Sequence, residues 1–375
     1  MDAPLKGIKV LELARILAGP WCGQTLADLG ADVIKVESPE GDDTRKWGPP
    51  WIEHDGERAA AYYHAANRGK RSVTADFTTG AGRALVLDLA RDADVLIENF
   101  KVGGLKKYGL DYESLKALNP RLIYCSITGF GQDGPYAARA GYDFMIQGMS
   151  GIMDLTGDPA GEPQKIGVAF ADIFTGVYSV VAVQAALIAR ARTGEGQHID
   201  MALLDCMTGV LANQAMNFLA SGNVPKRLGN AHPNIAPYQT FPVADGHLIV
   251  ACGNDGQFVR LVEILGLAEL SSDERFKTNA ARVANRLLLS DMMEAITRDW
   301  KRDDLLAALE KAGVPAGPIN TVADVFADPQ FAHRGMRIDP NGVPGIRTPI
   351  TFSDTPLSLD RPSPKLGEHD GAMFD

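Results

Sequence analysis

The chain has no C-x-x-C pair, no H-E-x-x-H and no G-x-G-x-x-G leading into a helix, and each absence removes a class of chemistry. Its four cysteines, Cys22, Cys125, Cys206 and Cys252, stand far apart in 375 residues. That fits a reducing compartment and argues against a structural zinc site. The seven histidines are scattered without ligand spacing, so no metal is expected. With no glycine fingerprint ahead of a helix, a dinucleotide-binding dehydrogenase is disfavoured. Basic charge is in short supply: 37 Lys and Arg against 47 Asp and Glu leave a formal charge of −10. No nonspecific binding to nucleic acid or to an anionic membrane is expected from that balance. Small anions are still admissible, because a few local donors hold them. Long apolar runs are missing as well. The most apolar stretch, 177–187, is shorter than a bilayer span and contains Ser179 and Gln184, so it reads as a buried helix. Met1-Asp2-Ala3-Pro4 leads into no basic region with an apolar core, so the expected location is the cytoplasm.

What is present is an ordinary globular composition, 45% hydrophobic and 22% charged, in a chain long enough for two domains. Strand patterns at 8–13, 31–37, 94–100 and 122–127 alternate with helical patterns at 23–29, 80–91 and 112–118. Such alternation indicates βαβ units and an α/β fold, a doubly wound parallel sheet with helices on both faces. A further helix at 177–191 ends in a basic turn followed by Gly194. After about residue 220 the pattern changes: a strand at 245–251, helices at 258–265, 286–298 and 302–312, then a Pro/Gly-rich stretch at 313–318. The expected organisation is a large domain over 1–220, completed by 325–375, and a smaller α/β domain over 225–320. The proline-rich tail from Asp339 reads as extended.

Several segments can carry chemistry. Asp172 stands between an apolar run and the small-residue helix, where an acid is either a helix N-cap or a held, ionised nucleophile. The turn at 14–20 follows the first strand and is placed to line a site at the carboxyl ends of the strands. The loop at 41–51 combines Arg45 with Trp47 and Trp51. A guanidinium there could clamp a carboxylate against an apolar wall, or the loop could be a solvated surface cluster. In the loop at 251–257, Gly253, Asn254 and Gly256 suit either an oxyanion site and lid or plain turn chemistry. His232 is a ligand candidate in one reading and a structural histidine in the other.

In order along the chain stand Leu5-Lys6-Gly7-Ile8-Lys9-Val10-Leu11-Glu12, Leu17-Ala18-Gly19-Pro20, Gly30-Ala31-Asp32-Val33-Ile34-Lys35-Val36-Glu37, Glu98-Asn99-Phe100 and Gly129-Phe130-Gly131-Gln132-Asp133-Gly134-Pro135. They are followed by Gly141-Tyr142-Asp143, Asp172 with Thr175-Gly176, and Gly194-Glu195-Gly196-Gln197-His198-Ile199-Asp200. This series resembles the class III CoA-transferase family over nearly the whole chain. The resemblance implies a Rossmann-like large domain, an interlocked homodimer, no permanently bound cofactor, and a coenzyme A thioester and a carboxylic acid as substrates. It implies Asp172 as the nucleophile, passing through mixed anhydrides and an aspartyl-CoA thioester. Racemases of the same family carry a His where this chain has Tyr142, so an acid/base partner for α-proton exchange is missing. An acyl-CoA racemase or isomerase is therefore the second reading, and a noncatalytic CoA-binding protein the third.

By the same resemblance, Leu17, Ala18, Ala75, Asn99, Phe100, Lys107 and Arg139 are the expected CoA contacts. Leu17 departs from the Gln of the formyl-CoA branch, and Thr78 from a basic contact there. The 41–50 segment, Ala231-His232, Pro237-Tyr238-Gln239 and Gly253-Asn254 are most similar to the succinyl-CoA–glutarate subgroup. A dicarboxylate acceptor would need a cationic or polar anchor, for which Arg45, His232 and Tyr142 are the candidates.

Overall fold

The computed structural model describes residues 1–374. Two compact units emerge among the described residues: 1–152 with 165–211 and 329–374, and 153–164 with 212–328.

The first unit runs β1 (Lys9–Glu12), α1 (Ala18–Asp28), β2 (Asp32–Glu37), a hairpin of β3 (Trp51–His54) and β4 (Glu57–Ala60), α2 (Ala61–Asn67), β5 (Arg71–Thr74), α3 (Gly80–Asp92), β6 (Val95–Glu98), α4 (Tyr112–Leu118), β7 (Ile123–Thr128) and α5 (Asp143–Met149). At the single turn α6 (Ile152–Leu155) the chain leaves this unit. It returns with α7 (Phe170–Thr193), β8 (His198–Ala202) and α8 (Leu203–Gly209). Six of the strands form one parallel sheet in the order β5-β2-β1-β6-β7-β8. Winding runs outward from β1 to β5, then restarts at β6 and runs the other way, the doubly wound arrangement.

Period-two alternation assigns neighbouring residues to opposite faces. Val10, Val33, Val95, Ile97, Ile123 and Cys125 face a core with Cys22, Leu26, Val180 and Val183 of α1 and α7. Leu11, Ile34, Leu96 and Tyr124 face a second core with Val86 and Leu89 of α3 and Leu115 of α4. Burial on both faces is why these strands read as continuous apolar runs.

Two helix starts differ from the sequence reading. The first helix begins at Ala18 rather than Gly23, because Pro20 lies in a first turn where its missing N–H is no loss. Helix α7 begins at Phe170, seven residues before the expected start, so Asp172 lies inside the first turn. Short strands β5 and β8 escaped notice, since Arg71-Ser72-Val73-Thr74 and His198-Ile199-Asp200 carry too little apolar patterning.

The second unit contains α9 (Ala212–Ser221), β9 (Tyr238–Val243), β10 (Gly246–Ala251), α10 (Asp255–Ile264), α11 (Asn279–Ala284), α12 (Arg286–Thr297), α13 (Arg302–Lys311), β11 (Ala316–Pro318) and α14 (Val322–Ala327). Its antiparallel sheet, β11-β10-β9, packs Phe241, Leu248 and Val250 with Phe258, Leu261, Met293 and Leu305 of the helices. The chain then rejoins the first unit through α15 (Pro329–His333) and the pair β12 (Arg337–Ile338) and β13 (Gly345–Ile346). Its last segment covers edge strand β5: His369 donates its N–H to Ser72 O at 2.9 Å, and Thr74 donates to Asp370. Phe374 closes the second core.

Candidate active site

Strand order reverses between β1 and β6, so the turns leaving their carboxyl ends diverge and open a crevice. A cavity of about 480 Å³ occupies it, built from first-unit residues alone. Leu17 and Ala18 at the start of α1, Asn99 and Phe100 after β6, Lys107, Arg139, Tyr142 and Asp172 all line it. Seven expected site residues therefore accompany Asp172 in one cavity. No side chain caps α1, so its first-turn N–H groups are left to a ligand or solvent.

Helix α7 reaches the cavity because it crosses α1 closely. A Cβ on Gly176 would sit 2.8 Å from Ala18 O and 3.0 Å from the Trp21 Cβ, so only glycine permits this approach. Behind the cavity, Gly129 and Gly141 touch backbone to backbone: a Cβ on either would come within 2.5 Å of the other's Cα. That contact brings the 141–143 segment beside the start of α7.

Asp172 is the third residue of α7, and the cap of that helix is a different acid. Asp143 Oδ1 accepts the N–H of Ala171 at 2.8 Å and that of Asp172 at 3.3 Å, while its Oδ2 accepts from Gln147. The Asp172 carboxylate accepts no hydrogen bond from the described residues. Burial, with the Asp143 charge added, pushes its pKa up to about 7. The same surroundings raise Tyr62, first through burial and then through the charges of Asp172 and Asp143. Tyr62, which packs edge-on against Trp47 at 5.2 Å, feels both charges although it is not on the cavity lining. Asp143 was visible only as the unremarked neighbour of Tyr142.

Around the cavity, Arg139 lies over Tyr136 at 4.5 Å and Phe130 at 5.3 Å, and Lys107 Nζ over Tyr108 at 4.7 Å. Arg15 and Lys101 line the same space. This is a partly apolar slot with a cationic rim, suited to a ligand carrying both a flat apolar portion and anionic groups. Tyr142, 69% exposed, stands at the lining.

One expectation needs correction; Ala75, Gly253, Asn254, Gly256 and His232 are simply not among the residues that line this cavity. Arg45 is not a substrate clamp. Its Nε and Nη2 grip Glu37 at 2.9 and 2.7 Å, and Nη1 reaches Glu57. Nη2 also donates to Tyr63 Oη and Pro364 O, so this buried guanidinium is fully engaged inside the protein. Ala75 lies in the second core and borders a small cavity of about 100 Å³ with Leu13, Lys35 and Asp42, which shares Arg15, Phe77 and Phe100 with the larger one. Gly253 spends its N–H on Gln257 Oε1 at 2.7 Å, and Asn254 caps α10 by accepting the Gln257 N–H. With Gly256, at the start of α10, they form a helix entrance within the second unit. His232, also in that unit, accepts the Asn234 N–H on Nδ1 and packs against Tyr238. Among the described residues no group of three or more His, Cys, Asp and Glu could hold a metal ion.

An ionisable carboxylate at the switch-point crevice of a doubly wound sheet, facing a slot with a cationic rim, suits acyl transfer from a nucleotide thioester. The match to known sequences is specific: a family model described as CoA-transferase family III covers residues 5–370, and the chain belongs to that family. It is 64% identical to a succinate–glutarate CoA-transferase of Agrobacterium fabrum, over 99% of this chain and 95% of that one. It is 42% identical to the human succinyl-CoA:glutarate CoA-transferase, over 98% of this chain and 84% of that one. A crystal structure of a CaiB/BaiF family protein from Brucella suis superposes with a TM-score of 0.90 at 75% identity, covering 98% of each chain.

Proposed function

We propose that this CoA-transferase moves coenzyme A from succinyl-CoA to a dicarboxylic acid such as glutarate, with Asp172 as the covalent carrier. The observation that carries the reading is the uncommitted Asp172 carboxylate in the same cavity as Leu17, Ala18, Asn99, Phe100 and Lys107. The names of the two glutarate relatives support the choice of acids.

In the first step, an ionised Asp172 oxygen attacks the thioester carbonyl and the C–S bond breaks, leaving a mixed anhydride and CoA thiolate. The thiolate attacks the aspartyl carbonyl, succinate departs with the bridging oxygen, and an aspartyl-CoA thioester remains. The acceptor carboxylate then attacks that thioester, expelling the CoA thiolate and forming a second anhydride between Asp172 and the acceptor. Attack of the thiolate on the acceptor's acyl carbon restores the Asp172 carboxylate and releases the new acyl-CoA. Each step conserves an activated acyl group, so no external energy source is needed. A carboxylate without hydrogen bonds is a stronger nucleophile than a solvated one, and a pKa near 7 combines basicity with substantial ionisation at neutral pH. Uncapped first-turn N–H groups of α1 suit the oxyanion that forms at the attacked carbonyl. Lys107 and Arg139 supply charge for the phosphates of CoA.

With Arg45 committed elsewhere, Arg15 and Tyr142 on the lining are the anchors that suit the acceptor's far carboxylate. The exposed apolar residues Val177, Val181 and Ile188 on α7 favour a homodimer, interlocked as in the family. The test incubates the protein with succinyl-CoA and a panel of mono- and dicarboxylates. Transfer restricted to dicarboxylates supports the reading, and transfer to none opposes it.

A further inference from the structure

The turn from β1 into α1 contains an energetic anomaly. Ile16 lines the cavity with φ +72°, a left-handed conformation that β-branched residues avoid. Such an outlier persists only where its surroundings over-determine it. Here three consecutive residues are pinned. Lys35 Nζ donates to Ala14 O at 2.8 Å. The Asn99 side chain accepts the Arg15 N–H at 2.9 Å and donates to Arg15 O at 2.7 Å. Asp42 accepts the Ile16 N–H at 3.3 and 3.2 Å.

Asp42 is itself locked. Thr44 donates to it from both N and Oγ1 at 3.0 and 2.8 Å, and Lys35 Nζ lies 3.0 Å from its Oδ2. Its own N–H donates to Glu37, the carboxylate that Arg45 grips. Lys35 also pairs with Glu12 at 3.0 Å, and the Lys35, Asp42 and Glu12 side chains are at most 1% exposed. The Gly41-Asp42-Asp43-Thr44-Arg45 segment is thus scaffolding beneath the cavity.

We infer that Asp42 is a positioning residue: with Lys35 it holds Ile16 left-handed, so that Leu17, Ala18 and the free N–H groups of α1 meet the thioester in the reactive orientation. This rests on the CoA-transfer reading. Loss of the Asp42 grip lets Ile16 relax and turns the start of α1 away from the bound acyl group. The effect falls on kcat for acyl-CoA more than on its KM, because the CoA contacts of Phe100, Lys107 and Arg139 lie elsewhere on the lining.

A double-mutant cycle tests it. Glycine adopts positive φ without the steric penalty, so Ile16→Gly lessens the need for the pin. Asp42→Asn should lower kcat with succinyl-CoA by about twentyfold in the parent protein and by less than about threefold in the Ile16→Gly variant. Equal losses in both backgrounds would overturn the inference, since Asp42 would then serve general stability. Should Asp42→Asn fail to fold, Thr44→Val weakens the same grip while leaving the buried charges in place, and the cycle is read with it. Wild-type protein inactive with every acyl-CoA would instead defeat the transferase reading, so the two failures are distinct.

Discussion

Asp143 caps the helix that carries Asp172, taking the Asp172 backbone N–H at 3.3 Å on the same carboxylate oxygen that holds the Ala171 N–H. One acid is thereby the electrostatic neighbour of the other. Asp143→Asn keeps an acceptor for the two N–H groups but removes the charge. The pKa of Asp172 should fall, and the acid limb of kcat/KM, set near pH 7, should move to lower pH. Burial is the larger cause of the shift, so the movement is partial. A less basic nucleophile should also lower the plateau. An unmoved limb in the pH–rate profile contradicts this role.

Asp172 should destabilise the fold at the pH where it works. Its folded pKa, about 7, lies above the unfolded value of 3.8, so the native state holds the extra proton between these limits. Stability contributed by that proton is complete below about pH 4 and is lost as pH rises through 7. Asp172→Asn should therefore melt higher than the parent at pH 8, by an amount of order 1–4 kcal/mol. The advantage should shrink towards pH 4. Thermal denaturation at several pH values checks the sign, while transferase activity in the variant should fall by at least about a thousandfold.

Arg45→Met should damage stability rather than acceptor selection. The substitution strands Glu37 in a buried site, a change that typically destabilises by about 3–5 kcal/mol. The melting temperature should drop markedly, and the KM values for acyl-CoA and for the acceptor should change by similar factors in the protein that remains folded. A selective rise in the acceptor KM would restore Arg45 to the substrate site.

Gly176→Ala places a methyl group against the backbone of Ala18, where no side-chain rotation relieves it. Overpacking of this kind destabilises by about 1–3 kcal/mol. Because the same helix crossing sets Asp172 against Leu17 and Ala18, kcat should fall along with the melting temperature. Gly80→Ala, at an open position on α3, is the neutral control.

The parallel sheet was legible because its strands are buried on both faces and leave continuous apolar runs, as in Val33-Ile34 and Val95-Leu96-Ile97. Asp172, Leu17, Asn99 and Phe100 stand out as candidates through ordered motifs, and the structure places them with Lys107 on one cavity lining. Residues whose roles depend on chain path were not. Arg45 beside two tryptophans looks like a ligand clamp until Glu37, Glu57 and, from the far end of the chain, Pro364 engage its guanidinium. Asp143 and Tyr62 acquire meaning only when the Gly129–Gly141 contact and α2 bring them near α7. The left-handed Ile16 has no local signature at all, for its conformation is imposed by Asp42, 26 residues away.

The central claim is that Asp172 becomes covalently acylated. Protein mixed with succinyl-CoA, quenched with hydroxylamine and digested should show a hydroxamate on the peptide containing Asp172 by mass spectrometry. Asp172→Asn treated in the same way should show none. An unmodified Asp172 peptide in protein that is turning over succinyl-CoA, or a hydroxamate at another residue, would contradict the account.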